Sequence, residues 1–120
     1  MTDNNNLIDI ETTTILLDAL EDGFYDIVNE FVKVGRDLIS QIAQQAGADT
    51  VDTEKLIVLV HTLKGASGNI GASSLAEKCQ ALETRLHNKQ PLDINVHSHE
   101  IADIYSKTEA AFLQTFSKAS

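Results

Sequence analysis

His61-Thr62-Leu63-Lys64-Gly65-Ala66-Ser67-Gly68-Asn69-Ile70-Gly71 is the stretch that decides how this chain folds and what it offers to a partner. Wound as a helix at about 100° per residue, it sets His61, Lys64, Gly65 and Gly68 on one face. Leu63, Ala66 and Ile70 fall on the opposite, apolar side. Ala72 would join the first face if the helix ran on. A glycine inside a helix costs roughly 1 kcal/mol relative to alanine, so a helix that only packed would not carry two on one face. Glycines beside a histidine leave its ring standing proud and let another surface come close to the backbone. Lys64, one turn along, adds positive charge, which favours an anion carried on an imidazole nitrogen. Histidine is a competent covalent nucleophile, and phosphoryl transfer depends mainly on positioning and charge compensation. The pattern reads as a solvent-facing His61 that carries a phosphoryl group and presents it to a docking partner.

Working outward, Asp52 is the expected N-cap of the helix that holds this stretch, about 53–70. Leu56, Val60, Leu63 and Ala66 point inward, with Ile57 and Leu59 alongside, and Gly71 is the stop. Downstream, Ser74 to Glu77 has the spacing of a capping box. It is expected to open a helix running to about 88, striped by Leu75, Cys79, Leu82 and Leu86. Asn88 to Asn95, with the single proline Pro91, reads as a loop. A last helix over about 96–117 carries Ile101, Ile104, Tyr105, Ala111, Phe112 and Phe116 on one broad side. Upstream, a long helix over about 23–46 repeats Phe24, Ile27, Val28, Phe31, Val34, Leu38, Ile42 and Ala46, and ends at Gly47. Asp9 is placed to cap a short helix over about 10–21 with Ile10, Leu16, Leu17 and Leu20 as its apolar side. Its three threonines, Thr12 to Thr14, are weak helix formers, so it relies on packing. Residues 1–6 are polar and expected to be flexible. The predicted fold is all-α: an antiparallel four-helix bundle with a short additional N-terminal helix over one end.

Composition narrows the function classes. The chain has 120 residues, the size of one domain, and 42% of them are hydrophobic. Net charge is −9, which disfavours nucleic acid and anionic lipid as partners. No apolar run reaches the ~18 residues of a membrane span, and the first residues lack the pattern of a signal peptide. A cytoplasmic protein is expected. One cysteine, Cys79, rules out an internal disulfide and a cysteine-based zinc site; its apolar surroundings predict a buried thiol. His87, His97 and His99 lie near the 88–95 loop and are expected to be solvated. His97 and His99, two apart, point about 200° from each other on a helix and chelate poorly. No metal site and no acid/base dyad is predicted.

The run His61-x-x-Lys64-Gly65-x-x-x-x-x-Gly71, with Gly68 inside it, resembles the signature of histidine-containing phosphotransfer (HPt) domains of multistep two-component signalling. The likeness continues through Ala72, Leu75, Ala76, Cys79, Leu82 and Glu83 and covers most of the chain. Asn69 departs from it, standing where an apolar or small residue would pack more simply. The resemblance implies the same bundle, His61 as phosphoacceptor and Lys64 as a charge-stabilising neighbour. Gly65 and Gly68 would give the partner clearance, with Gln80 lining the site. In some HPt domains an acidic residue at the position of Glu83 lies beside the histidine. A carboxylate there would hold Nδ1–H and leave Nε2 as nucleophile; an ordinary exposed glutamate is the alternative. The implied partners are receiver domains and a hybrid sensor histidine kinase. No cofactor is expected on this chain, with magnesium supplied by the receiver. Nothing resembling an ATP site is present, so the chain would be a phosphocarrier without kinase activity. A bundle of this size can bury its own apolar stripes, so a monomer is expected.

Two other readings fit the same residues. One is the phosphoacceptor fragment of a larger sensor or chemotaxis-type kinase, although an initiating Met1 and a polar start favour a free-standing protein. The other is a helical adaptor that binds without chemistry. A metal-dependent helical enzyme is disfavoured, because the Glu-x-x-His pairs of di-iron bundles are missing.

Overall fold

The computed structural model describes residues 7–116, and side chains as far as Gln114. Among the described residues there are five helices and no strand: α1 (Ile10–Leu20), α2 (Asp22–Ala46), α3 (Thr53–Ile70), α4 (Ser73–His87) and α5 (Ile94–Phe116). Helices α2 to α5 form the four-helix bundle, with α3 on α4, α2 on α5 and α2 on α3 as the largest helix pairs. The flexible run expected at 1–6, a helix end at 117 and the side chain of Phe116 lie outside the described residues.

Local signals account for most of the boundaries. The Asp9 carboxylate accepts from the backbone N–H of Glu11 and Thr12, and that of Asp52 accepts from Lys55 N–H at 3.1 Å. Gly71 ends α3 at φ 83°, a left-handed conformation suited to glycine. The last helix starts two residues earlier than expected because Asp93 caps it, its Oδ1 accepting from Asn95 N–H at 3.1 Å. The fourth helix starts ahead of the expected capping box. Helix α4 begins at Ser73 after Ala72, which has no side-chain cap and whose methyl is fully buried. Burial of Ala72 fixes the start of α4 one residue ahead of the Ser74–Glu77 pair.

The inward stripes pack as their spacing implies. Phe24, Ile42, Leu56, Leu63, Leu75, Leu82, Ile101 and Phe112 are essentially inaccessible. Although the chain is poor in aromatics, Phe31 meets Phe112 at 5.8 Å and Tyr105 at 5.9 Å between ring centroids, joining α2 to α5. Two faces are rotated from expectation. In α1, Ile10 and Leu20 are exposed and Thr13 is fully buried instead. The helix rolls so that Thr12 and Thr13 press on Gly71, while Asp9 N–H donates to the Gly71 carbonyl at 2.7 Å. Helix α1 thus clasps the α3–α4 turn at one end of the bundle. In α2, Ile27 is exposed and Gly35 is buried. A Cβ at Gly35 would lie 2.3 Å from Tyr105 Cε1, so only glycine admits the tyrosine ring there.

Candidate functional site

The site is built by the α3–α4 pair. Helix α3 presents His61 with its side chain 64% exposed, while Leu63, Ser67 and Ile70 are buried on its other side. Gly65 and Gly68 are both exposed, and a Cβ added to either would meet nothing within 4 Å. Neither glycine is therefore demanded by packing within this chain. Asn69 is solvent-facing, so its departure from the simpler pattern disturbs nothing.

Helix α4 supplies the partner of the imidazole. Glu83 Oε2 lies 2.8 Å from His61 Nδ1, and Lys64 Nζ lies 2.7 Å from Glu83 Oε1. The carboxylate is not the exposed glutamate of the alternative reading; only 10% of its side chain is accessible. The Lys64 ammonium holds the Glu83 carboxyl below its ordinary value, burial pushes the other way, and the His61 ring adds to the lowering. Glu83 is thus an ionised acceptor. A carboxylate only accepts, so the neutral His61 ring must carry its proton on Nδ1 and keep its lone pair on Nε2.

Lys64 also donates to Gln80 Oε1 at 3.1 Å, and Gln80 Nε2 donates to Thr84 Oγ1 at 3.0 Å. His61, Lys64, Gln80 and Glu83 are therefore one connected polar group across two helices, flanked by the two open glycines. In this arrangement the Lys64 ammonium rests on Glu83 and Gln80 rather than on the ring.

Two neighbours escaped the sequence reading. Val58, one turn before His61, is 63% exposed; an apolar residue on the polar face of α3 was the available signal. His87 Nε2 stands 3.6 Å from Glu83 Oε2, beyond hydrogen-bonding distance. Of the three histidines expected to be solvated, His97 is not. It packs against α4 with 15% of its side chain accessible. Cys79 is buried, and burial pushes its thiol up to about 12, with Glu83 adding to the shift. Among the described residues no group of three or more His, Cys, Asp or Glu side chains is arranged to hold a metal ion. No helix there is long and apolar enough to cross a membrane.

The Hpt domain family model matches residues 26–111, which spans both helices of the site. The chain belongs to the Hpt domain family, which assigns it to histidine phosphotransfer in phosphorelays. Similar solved structures include maize histidine-containing phosphotransfer protein ZmHP2, at TM-score 0.81 and 19% identity over 93% of this chain and 90% of that one. A rice protein described as a histidine-containing phosphotransfer protein matches at TM-score 0.78 and 22% identity, over 88% of this chain and 78% of that one. At these identities the two structures establish the shared bundle. No curated protein matches the sequence.

Proposed function

We propose that this chain is a phosphorelay intermediate that takes a phosphoryl group onto His61 from the phospho-aspartate of one receiver domain and yields it to the aspartate of another. The observation that carries the reading is the 2.8 Å contact of His61 Nδ1 with an ionised, nearly buried Glu83, on a ring otherwise open to solvent. In the forward step the Nε2 lone pair attacks phosphorus in line. The Nε2–P bond forms, the P–O bond to the donor aspartate breaks, and the carboxylate leaves with the bonding pair. The ring gains positive charge as the bond forms. Glu83, against Nδ1–H, offsets that charge without having to move. Lys64 keeps Glu83 ionised and places a positive charge one turn from the transferred group. The magnesium that neutralises the phosphoryl oxygens belongs to the receiver.

Docking is consistent with the surface around His61. Gly65 and Gly68 leave the helix backbone open, exposed Val58 and Ile27 offer apolar contact, and a groove between α2 and α3 is lined by Phe31, Val34, Ala66 and Asn69. We take the carrier to be a monomeric cytoplasmic protein, phosphorylated through a hybrid sensor kinase rather than by itself.

The test is transfer from a phosphorylated receiver domain in the presence of Mg²⁺. The expected result is an acid-labile, base-stable phosphate on the wild type and none on a folded His61→Gln variant. Label on both would show that another residue is the acceptor. Label on neither, across several receivers and a hybrid kinase, would favour the adaptor reading.

A further inference from the structure

Away from the phosphoryl site, α4 turns another face to α5. Here Arg85 and His97 join the two helices and the loop between them. Arg85 Nη2 donates to the Pro91 carbonyl at 2.8 Å, and its Nη1 lies 3.4 Å from His97 Nε2. Guanidinium only donates, so His97 Nε2 must be the acceptor and the ring's proton must sit on Nδ1. That Nδ1 is buried without a hydrogen-bond partner; its nearest anion, Glu100 Oε1, is 3.6 Å away and already paired with Lys78. The charged groups facing the ring are therefore Lys78 and Arg85 from α4, Glu100 from α5, and Asp93 at the α5 cap. The ring also occupies the first turn of α5, where the helix dipole disfavours a cation.

We propose that His97 is a proton-operated latch: neutral, it and Arg85 hold the 88–93 loop against α4; protonated, it releases Arg85 and frees the loop. Protonation puts a hydrogen on Nε2, which abolishes the acceptor that Arg85 uses. It also adds a positive charge between Arg85 and Lys78. Glu100, engaged by Lys78, compensates incompletely. Burial first, and then Lys78 and Arg85, hold the His97 imidazole below its ordinary value, which is what a closed latch against protonation requires. The loop residues Pro91 and Leu92 border the cleft that leads to Leu56 and Leu86, so release uncovers apolar side chains at this end of the bundle.

The sign follows from linkage. The closed form binds the proton less readily than the open form. Closure is therefore strongest above about pH 6.5, the ordinary imidazole value, and weakens as the pH falls below it. While only the open form is protonated, the opening constant rises by up to about tenfold per pH unit.

Amide hydrogen exchange of residues 86–97, corrected for intrinsic rates, is measured between pH 7.5 and 5 on the wild type and on His97→Gln. The expected result is opening that is flat above neutrality and rises on acidification in the wild type, and that is flat throughout in the variant. The same rise in both, or no rise in the wild type, overturns the latch. Nitrogen NMR of the wild-type ring gives a second test if the variant folds poorly. An Nδ1–H tautomer at pH 7.5 supports the latch, and an Nε2–H tautomer refutes it. Neither measurement involves phosphoryl transfer, so the latch and the proposed carrier function stand or fall separately.

Discussion

Replacing Gly65 and Gly68 together with alanine should make the isolated protein more stable. Each glycine costs a helix interior about 1 kcal/mol relative to alanine. Normally packing explains such a cost, but here a Cβ at either position meets nothing within 4 Å and both sites face solvent. The gain is about 1 kcal/mol at Gly65 and somewhat less at Gly68, which lies in the last turn of α3. A total of about 1.5–2 kcal/mol corresponds to a Tm rise of about 6–8 °C for this chain length. In urea it corresponds to a midpoint shift of about 1 M. Thermal melts and urea titrations followed by circular dichroism would read both. A functional arm completes the experiment. Gly68→Gln should be at least as stable as the wild type, yet should slow phosphoryl transfer from a receiver, because a long side chain now occupies the approach to His61. If the double alanine variant is no more stable than the wild type, the glycines serve the bundle itself, and clearance is the wrong explanation. If Gly68→Gln transfers at the wild-type rate, nothing docks that closely.

Gly35→Ala should have the opposite sign, destabilising by about 1–3 kcal/mol in the same melts, because its Cβ would collide with the Tyr105 ring; an unchanged midpoint would contradict that close approach. Glu83→Gln should lower the rate of transfer to His61 by about tenfold or more, since a charge-assisted hydrogen bond is lost and the ring tautomer is no longer enforced; an equal rate in rapid-quench assays would remove Glu83 from the mechanism. The Glu83 carboxyl titrates below its ordinary value in the fold, chiefly through Lys64, so its stabilising contribution is present above the ordinary carboxylate value and is lost as the pH falls through the folded one. The stability difference between wild type and Glu83→Gln should accordingly shrink below about pH 4.5, and a difference constant down to pH 2 would argue against the ion pair. Cys79, buried and raised to about 12, should resist thiol reagents at pH 8 until the protein is unfolded, and immediate labelling of the native chain would refute its burial.

The parts of this molecule that the sequence declares are those set by near neighbours. Asp9 and Asp52 cap within their own first turns, Gly71 stops α3 through its own backbone, and the His61 face follows from helical period alone. Parts set by how helices rotate against each other were not legible. Thr13 replaces Ile10 in the interior because α1 rolls onto Gly71, and no period within α1 contains that information. The burial of Gly35 depends on a tyrosine seventy residues further on, and that of His97 on the arrangement of Arg85 and Lys78. Glu83 lies between these cases. Spacing on α4 places it next to the Leu82 stripe, yet only the family resemblance suggested an imidazole partner, and only the α3–α4 packing brings its Oε2 to 2.8 Å from His61 Nδ1.

His61, Lys64, Gln80 and Glu83 all come from one helical hairpin, whose two arms are joined at Gly71 and Ala72. In kinetic terms that is a unit of low contact order, whose loop closes over a handful of residues. The candidate site is therefore expected to take shape when α3 and α4 zip together, before α2 and α5 meet across the length of the chain. On the proposed function, variation in the distant helices can then alter stability and partner choice while the chemistry stays within one hairpin.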